Sequence, residues 1–295
     1  MTGGGAMLSV LNFIRGLLKK SFFISLAVSV FAGAFSGLTG LIDMFSDSSR
    51  QTEVGKQNIL FWGAFTHSQD VTTDGKSYFF SSRFGLVKTG LDGETEMALN
   101  IDAIPKELKE NFGSAHIGGI SYWNGKVYAA VEDSKVWKYP IAALFDADTL
   151  EFTGKYYHLS AELQKNGVPW IAVDGANGCV YSAQRDNSPA LIVYDLETLA
   201  FIKTVPLSVP VHKIQGGEMY KGLLYVSTQD ETQAVYSINP FTGAVKKCFD
   251  QNLPEGGEAE GLTILETPDG AVIHTLDLGP MFINAWFRHY ALIKE

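Results

Sequence analysis

Five glycines, each in a short turn between two apolar stretches, recur along residues 58–295 and restrict the fold more than any other feature. Each is followed three residues later by a large side chain, Tyr in four cases and Ile in the fifth. The glycines are Gly75, Gly125, Gly178, Gly222 and Gly270, between 44 and 53 residues apart. Such a period is typical of repeat architectures, in which each unit buries its apolar face against the next.

Four of the units carry a second turn, which opens with Asp or Asn and closes with Thr three residues later. Short polar side chains at such positions accept hydrogen bonds from the turn backbone. The pairs are Asp92–Thr95, Asp146–Thr149, Asp195–Thr198 and Asn239–Thr242. The stretches between the turns are rich in Val, Ile, Tyr and Phe, which favour strands. Each unit therefore predicts four antiparallel strands, A to D, in about 47 residues, the size of a propeller blade.

The repeat predicts an all-β protein, a five-bladed β-propeller, with six blades as the alternative. The last unit has too little chain before Glu295 for a fourth strand. We expect the segment NILFWGAF, 58–65, to supply that strand and close the ring. An open array of sheets is disfavoured because it would leave apolar strand edges exposed.

The first 45 residues differ in composition from the rest of the chain. The segment IRGLLKK precedes about 25 residues without a charge until Asp43, long enough to span a bilayer. Basic residues on its amino side predict a cytoplasmic N-terminus with the propeller outside the cytoplasm, and the apolar sequence that continues past Ala34 favours an uncleaved anchor. A cleaved signal peptide ending at Ala32-Gly33-Ala34 is the alternative, and a buried helix of a soluble protein is the third. We therefore divide the chain into an anchor or signal peptide (1–45), a linker (46–57) and the propeller (58–295).

The remaining chain is acidic. Of 23 basic and 32 acidic residues, only three basic and one acidic residue lie within 1–45. A surface of this sign is unsuited to neutralising phosphates, so we expect no nucleic-acid partner. The expected partners are a small-molecule ligand or an envelope protein, and the membrane through the N-terminal helix.

In a blade, the start of strand A and the end of strand B lie at the same end of the sheet, and strand A is innermost. Residues at these positions should therefore surround one mouth of the central channel. They form a polar set in this chain: His67, Gln69, His116, Trp170, Arg185, His212, Gln215, Glu258 and Glu260.

Each member of this set has a candidate role. His116 and His212 are the candidate catalytic bases. The candidate substrate-binding residues are His67, Gln69, Trp170, Arg185 and Gln215. Glu258 and Glu260 are the candidate metal ligands, because two carboxylates near an axis repel unless a cation lies between them. Ca²⁺ or Zn²⁺ is the candidate cofactor.

With the strand–turn units before it, the segment EAEGLTI resembles the extracytoplasmic propellers of the gluconolactonase–regucalcin, paraoxonase and phytase-like esterase families. The resemblance implies a divalent cation in the channel, held by a glutamate at the start of a strand A. Glu260, and less closely Glu258, stands at the matching position. Those families have six blades, and their asparagine and aspartate ligands have no clear counterparts here. The segments HSQDVTTDGK and IQGGEMYKGLLYVS are also similar to the five-bladed plant-type glutaminyl cyclases.

Two functions remain open at this point, and the sequence does not decide whether the protein is an enzyme. The first is metal-dependent hydrolysis of an ester, lactone or phosphoester at the channel mouth. The second is a non-catalytic binding or scaffolding module of the cell envelope, because a propeller fold alone does not decide function. The G-x-S-x-G, H-E-x-x-H and P-loop patterns do not occur, which disfavours serine hydrolysis and Walker-type nucleotide hydrolysis.

Overall fold

The structure is a computed structural model that describes residues 58–60, 63–133, 135–268 and 270–291. The expected N-terminal anchor or signal peptide and the linker lie outside these residues. Across the described ranges, no helix combines the length and the apolar composition needed to cross a membrane.

Five four-stranded antiparallel sheets make up the fold, which confirms the five-bladed propeller. The first strand, β1 (Asn58–Leu60), belongs to the last sheet, and blades 1 to 3 follow it in chain order. Blade 1 consists of β2 (Asp70–Thr73), β3 (Tyr78–Ser81), β4 (Leu86–Thr89) and β5 (Glu96–Asn100). Blade 2 consists of β6 (His116–Trp123), β7 (Lys126–Glu132), β8 (Ile141–Asp146) and β9 (Phe152–His158). Blade 3 consists of β10 (Ala172–Asp174), β11 (Cys179–Ser182), β12 (Ser188–Asp195) and β13 (Phe201–Val211).

The chain continues through two more blades. Blade 4 consists of β14 (Ile214–Tyr220), β15 (Leu223–Thr228), β16 (Ala234–Ile238) and β17 (Val245–Asp250). Blade 5 has β18 (Glu258–Thr267), β19 (Gly270–Leu278) and β20 (Ala285–Ala291), with β1 as its outer strand. The inner strands β2, β6, β10, β14 and β18 contact one another around the axis.

Blade 5 closes the ring with two distant parts of the chain. The backbone of β1 pairs antiparallel with β20, with Asn58 opposite Phe287 and Leu60 opposite Ala285. This confirms that the segment near residue 58 completes the last sheet. The strand is shorter than expected, because Gly63–Phe65 forms a 3-10 helix instead of continuing it.

The turn glycines adopt the conformation that the repeat predicts. Gly125 and Gly222 have φ values of 76° and 78°, and the residues before them, Asn124 and Lys221, also have positive φ. Two successive positive φ values match the twist of a tight hairpin, and glycine adopts them without a steric penalty. In the second turn, Asp195 Oδ1 accepts the backbone N–H groups of Glu197 and Thr198.

The core lies between neighbouring blades. Blade 1 contributes Tyr78 and Phe80, and blade 5 contributes Leu276 and Phe287, to one buried cluster. The rings of Phe80 and Phe287 pack edge to face, with 5.2 Å between their centroids. Apolar burial of this kind is the main stabilising contribution to a domain, so stability depends on the blades being held against each other.

In the described part of the chain, an α-helix interrupts the strands. The helix α1 (Lys106–Phe112) lies between blades 1 and 2 and ends at Gly113, whose φ of 69° is the left-handed conformation of a helix C-cap. Leu108 is its fully buried residue and joins the core between blades 1 and 2. The expectation of an all-β propeller did not include this helix.

Candidate ligand site at the mouth of the propeller

A polar cavity of about 200 Å³ opens at one end of the axis, and residues of all five blades line it. We call it the mouth cavity. Its lining residues are Gln69, His116, Pro169, Arg185, Gln215, Gln229, Glu258 and Glu260. Six of these, all except Pro169 and Gln229, belong to the set that the sequence pattern singled out.

Blade geometry brings these residues together. His116 begins β6 and Glu258 begins β18, and both are inner strands. Arg185 follows β11 and Gln229 follows β15, the second strands of their blades. Because adjacent strands are antiparallel, the start of one and the end of the next lie at the same edge of the sheet. Positions far apart in sequence therefore share one cavity.

His116 is held from both sides. Its Nδ1 lies 3.1 Å from Glu132 Oε1, and its Nε2 lies 2.6 Å from Gln69 Oε1. The Gln69 amide nitrogen donates to the carbonyl oxygen of Ser68 at 2.7 Å, which turns Oε1 toward the histidine. Both ring nitrogens thus lie within hydrogen-bond distance of side-chain oxygens.

Glu260 is the most deeply placed charged group of the cavity, with 5% of its surface exposed. Burial, and after it the neighbouring carboxylates of Glu258 and Asp70, raise the pKa of Glu260 well above its usual value, whereas Arg185 opposes the shift. Within the described residues, no hydrogen bond or ion pair reaches its side-chain oxygens. A buried carboxyl without a donor is energetically unfavourable, which makes Glu260 the group in the cavity that most needs an external partner.

Arg185 lies on the same cavity but does not pair with Glu260. No carboxylate among the described residues lies within 4.0 Å of its guanidinium. Between them, blade 4 places two neutral amides, and Gln215 Nε2 donates to Gln229 Oε1 at 3.1 Å. The cavity therefore keeps opposite groups apart, with the Arg185 guanidinium in blade 3 and the carboxyls of Glu258 and Glu260 in blade 5.

Asp70, the first residue of β2, lies close to inner strands of blades 2, 4 and 5. It is fully buried, and its two carboxylate oxygens accept the N–H groups of Val71 and Ile120, each at 2.8 Å. A Cβ atom built on Gly261 would lie 1.5 Å from Asp70 Oδ1, and one on Gly216 would lie 2.4 Å from it. Glycine is therefore required by space at these two positions, where blades 4 and 5 approach Asp70 of blade 1.

A second carboxyl lies near Asp70. Glu218 Oε2 accepts the hydroxyl protons of Thr72 in blade 1 and Thr263 in blade 5, at 2.9 and 3.1 Å. Burial raises the pKa of Glu218 to about 7, although these hydroxyl donors oppose the shift. The electrostatic effect of Glu218 also raises the pKa of Asp70. The inner strands therefore hold weakly acidic carboxyl groups where ionised groups would repel one another.

Three of the expected site residues do not line the mouth cavity. Trp170 is fully buried in the core between blades 3 and 4. The ring of His67 packs 4.3 Å from that of Phe80, and burial lowers the pKa of His67 to about 4. His212 Nδ1 accepts the N–H of Asn187 in a neighbouring loop. Their positions in the repeat are equivalent to those of lining residues, but their side chains turn into the core or toward a loop.

The donors in the cavity do not form the metal site that two glutamates suggested. Glu258 and Glu260 supply two carboxylates. In the part of the chain that the structure describes, no group of three or more His, Cys, Asp or Glu side chains could hold a metal ion. The described residues therefore do not fit the Ca²⁺ or Zn²⁺ site that the resemblance to the lactonase families implies, and we derive no chemistry from a bound cation.

The sequence pattern places Glu132 and Gln229 at strand ends that face the mouth, but it gave no role to them or to Pro169. Gln229 and Glu132 occupy the same phase of the repeat, at or just after the end of strand B, as Arg185 does. Glu132 acts on the cavity through His116, and its second oxygen accepts the N–H of Val168 at 2.8 Å. The position of Gln229 and Glu132 at the end of strand B was a signal for the cavity. An amide or an acid beside a loop is equally typical of a residue that caps the loop backbone.

Comparisons with known proteins show no family for this chain. No family model matches the chain, and no curated protein matches it. Among solved structures it is similar to the computationally designed Ika8 protein (TM-score 0.38, 11% identity, 75% of this chain and 57% of that one). It is also similar to a chain of Kuenenia stuttgartiensis hydrazine synthase (TM-score 0.43, 12% identity, 78% of this chain and 59% of that one). A third similar structure is a chain of the mitotic checkpoint complex (TM-score 0.45, 7% identity, 84% of this chain and 95% of that one). The chain spans less than two thirds of the first two, and all three likenesses are too distant to say anything of function. The β-propeller assignment therefore stands on the sheet topology, and no family is shown.

Proposed function

We propose that this propeller is a binding module that takes a small polar molecule into the mouth cavity. The observation that carries the proposal is Glu260, a carboxyl that is almost completely buried, lines the cavity and has no donor among the described residues. Convergent polar groups with a perturbed pKa in a concave site are typical of ligand sites. The volume of about 200 Å³ suits a ligand of a few heavy atoms.

Recognition is favoured over metal-dependent hydrolysis for two reasons. The described residues offer no metal site. In addition, both ring nitrogens of His116 are engaged, by Glu132 and Gln69. In this proposal His116 positions the Gln69 amide at the cavity wall, while Gln215 and Arg185 supply further donors to the ligand.

Thermal melting of the full-length chain with single small probes tests the proposal: glucose, ethylamine, propionate and L-alanine. We expect at least one probe to raise the melting temperature, and the Glu260→Gln variant to change its affinity at least tenfold. Glu197→Gln, an exposed glutamate in a turn, is the matched control and should bind as the wild type does. No shift with any probe, or an equal shift in Glu260→Gln, would contradict the proposal.

A second candidate function is hydrolysis by two carboxyl groups without a metal. The observation that favours it is the pairing of Glu260, with its raised pKa, and Glu258 on one cavity. A protonated carboxyl beside an ionised one can act as general acid and base. Chromogenic esters and glycosides distinguish the candidates, because turnover that disappears in both Glu260→Gln and Glu258→Gln would favour the enzyme. Binding without turnover would favour the module.

We further propose that the module is displayed outside the cytoplasm and that segment 1–45 attaches it to the membrane or directs its export. The support is the apolar segment preceded by basic residues. Protease added to intact cells or spheroplasts should digest the propeller if this is right. Digestion only after lysis of the inner membrane would contradict it.

A further inference from the structure

The mouth cavity holds opposite charges that are kept apart, and this separation bears on the chemistry of the ligand. Arg185 and Glu260 are close enough to interact electrostatically, since the positive guanidinium lowers the pKa of the Glu260 carboxyl. They form no ion pair within 4.0 Å, although such a pair would be the simplest way to satisfy both groups. In ring order they lie two blades apart, with the Gln215 and Gln229 amides of blade 4 between them.

From this arrangement we infer that the ligand is a small zwitterion of amino-acid size, with its ammonium group at Glu258 and Glu260 and its carboxylate at Arg185. The inference rests on the proposed function and narrows it to one class of ligand. A single-charge ligand would satisfy one side of the cavity and leave the other side desolvated and unpaired, which is unfavourable.

The ammonium end is assigned to blade 5 because no hydrogen bond from the described residues reaches the carboxyl oxygens of Glu258 or Glu260. An ammonium group offers three N–H donors, enough to reach both carboxyls and one neighbouring amide oxygen. A neutral hydroxyl would supply a hydrogen bond but no positive charge between two carboxyl groups. The environment of Glu260 therefore favours a cation over a sugar or polyol.

The carboxylate end is assigned to Arg185 because a guanidinium binds a carboxylate through two parallel N–H donors. His116 lies on the same side of the cavity, and its ring is held by Glu132 and Gln69. Charge complementarity at both ends also gives specificity, because a ligand that lacks one charge leaves a buried group unpaired.

Isothermal titration of the full-length chain tests this inference with size-matched probes. The probes are the common L-amino acids one at a time, with ethylamine as the cation alone, propionate as the anion alone and glucose as the neutral compound. We expect at least one amino acid to bind ten times or more tightly than ethylamine and propionate. Glu260→Gln should reduce its affinity to about that of propionate, and Arg185→Met to about that of ethylamine.

Two further variants separate loss of binding from loss of folding. Arg185→Gln retains a polar side chain and should lose amino-acid binding to a similar degree. Lys203→Met removes an exposed cation from the outer strand of blade 3 and should bind as the wild type does. Binding of glucose, ethylamine or propionate with affinity equal to or above that of every amino acid would overturn the zwitterion and leave the proposed function standing. If no probe binds, both are overturned.

Discussion

At the scale of single residues, Asp70 shows how the site is supported. Its carboxylate accepts the N–H of Val71 in blade 1 and of Ile120 in blade 2. Gly261 approaches it from blade 5, and the Gly261 N–H donates to the carbonyl oxygen of Gln69 at 3.0 Å. Because Gln69, His116 and Glu260 lie near these contacts in sequence, Asp70 and Gly261 fix the position of the cavity walls.

Gly261→Ala should therefore be strongly destabilising. The new methyl group would lie 1.5 Å from Asp70 Oδ1 and 2.6 Å from the Asp70 Cα atom, so backbone must move. Overpacking of this kind typically lowers the free energy of unfolding by about 1–3 kcal/mol. Urea unfolding measures the change. Gly90→Ala, where the nearest atom is a side-chain oxygen at 3.3 Å, is the control and should change stability less.

Glu218 predicts a pH dependence. Its pKa is raised to about 7 in the folded chain, from 4.5 when unperturbed, so folding retains a proton that unfolding releases between these values. Its contribution to stability is therefore lost as pH rises from about 4.5 to 7. Glu218→Gln keeps an oxygen for Thr72 and Thr263 but does not ionise. The free energy of unfolding of the variant minus that of the wild type should rise by about 1–3 kcal/mol across this range. A difference that stays constant with pH would show that Glu218 is not desolvated.

The sequence could predict which positions reach the mouth but not which side chains turn toward it. The phase of the repeat identified Gln69, His116, Arg185, Gln215, Glu258 and Glu260. The same phase also selected Trp170 and His67, which pack into the core because aromatic rings gain more from burial than from a polar cavity. Periodicity specifies the strand and its end, whereas the rotamer depends on neighbours in other blades.

At the scale of secondary-structure elements, β1 completes the last sheet. Its three residues pair with β20 and give blade 5 its outer strand. The shortage of residues at the C-terminus made this prediction possible from the sequence. The helix α1 was missed, although Pro105 before it and Gly113 after it are typical start and stop signals. The helix has only seven residues and lies between two segments with a strong strand pattern, so the sequence pattern did not predict it.

Removal of β1 should weaken the whole ring. A chain that starts at residue 63 lacks the strand and leaves the edge of β20 unpaired, next to the core that joins blades 5 and 1. A chain that starts at residue 46 keeps it and is the control. We expect the shorter chain to melt about 5–10 °C lower than the control, which corresponds to a loss of about 2–3 kcal/mol. Equal melting temperatures would show that closure through β1 contributes nothing to stability.

At the scale of the whole molecule, circular closure creates the site. Gln69 and Glu260 are 191 positions apart in the chain, yet both line the mouth cavity. Each blade supplies one or two polar groups, and no single blade contains a site. Cationic and acidic groups come from different blades, which explains how opposite charges share a cavity without pairing.

The pKa of Glu260 is the measurement that decides whether the mouth cavity is a ligand site, since the site depends on a carboxyl buried at the mouth without a donor among the described residues. Carboxyl-carbon resonances of the full-length chain, labelled with carbon-13 at glutamate, can be followed by NMR as a function of pH. The resonance that disappears in Glu260→Gln belongs to this residue. We predict that it titrates well above the usual value of 4.5. Titration at or below 4.5 would mean that Glu260 is solvated or already paired, and would contradict the mouth site.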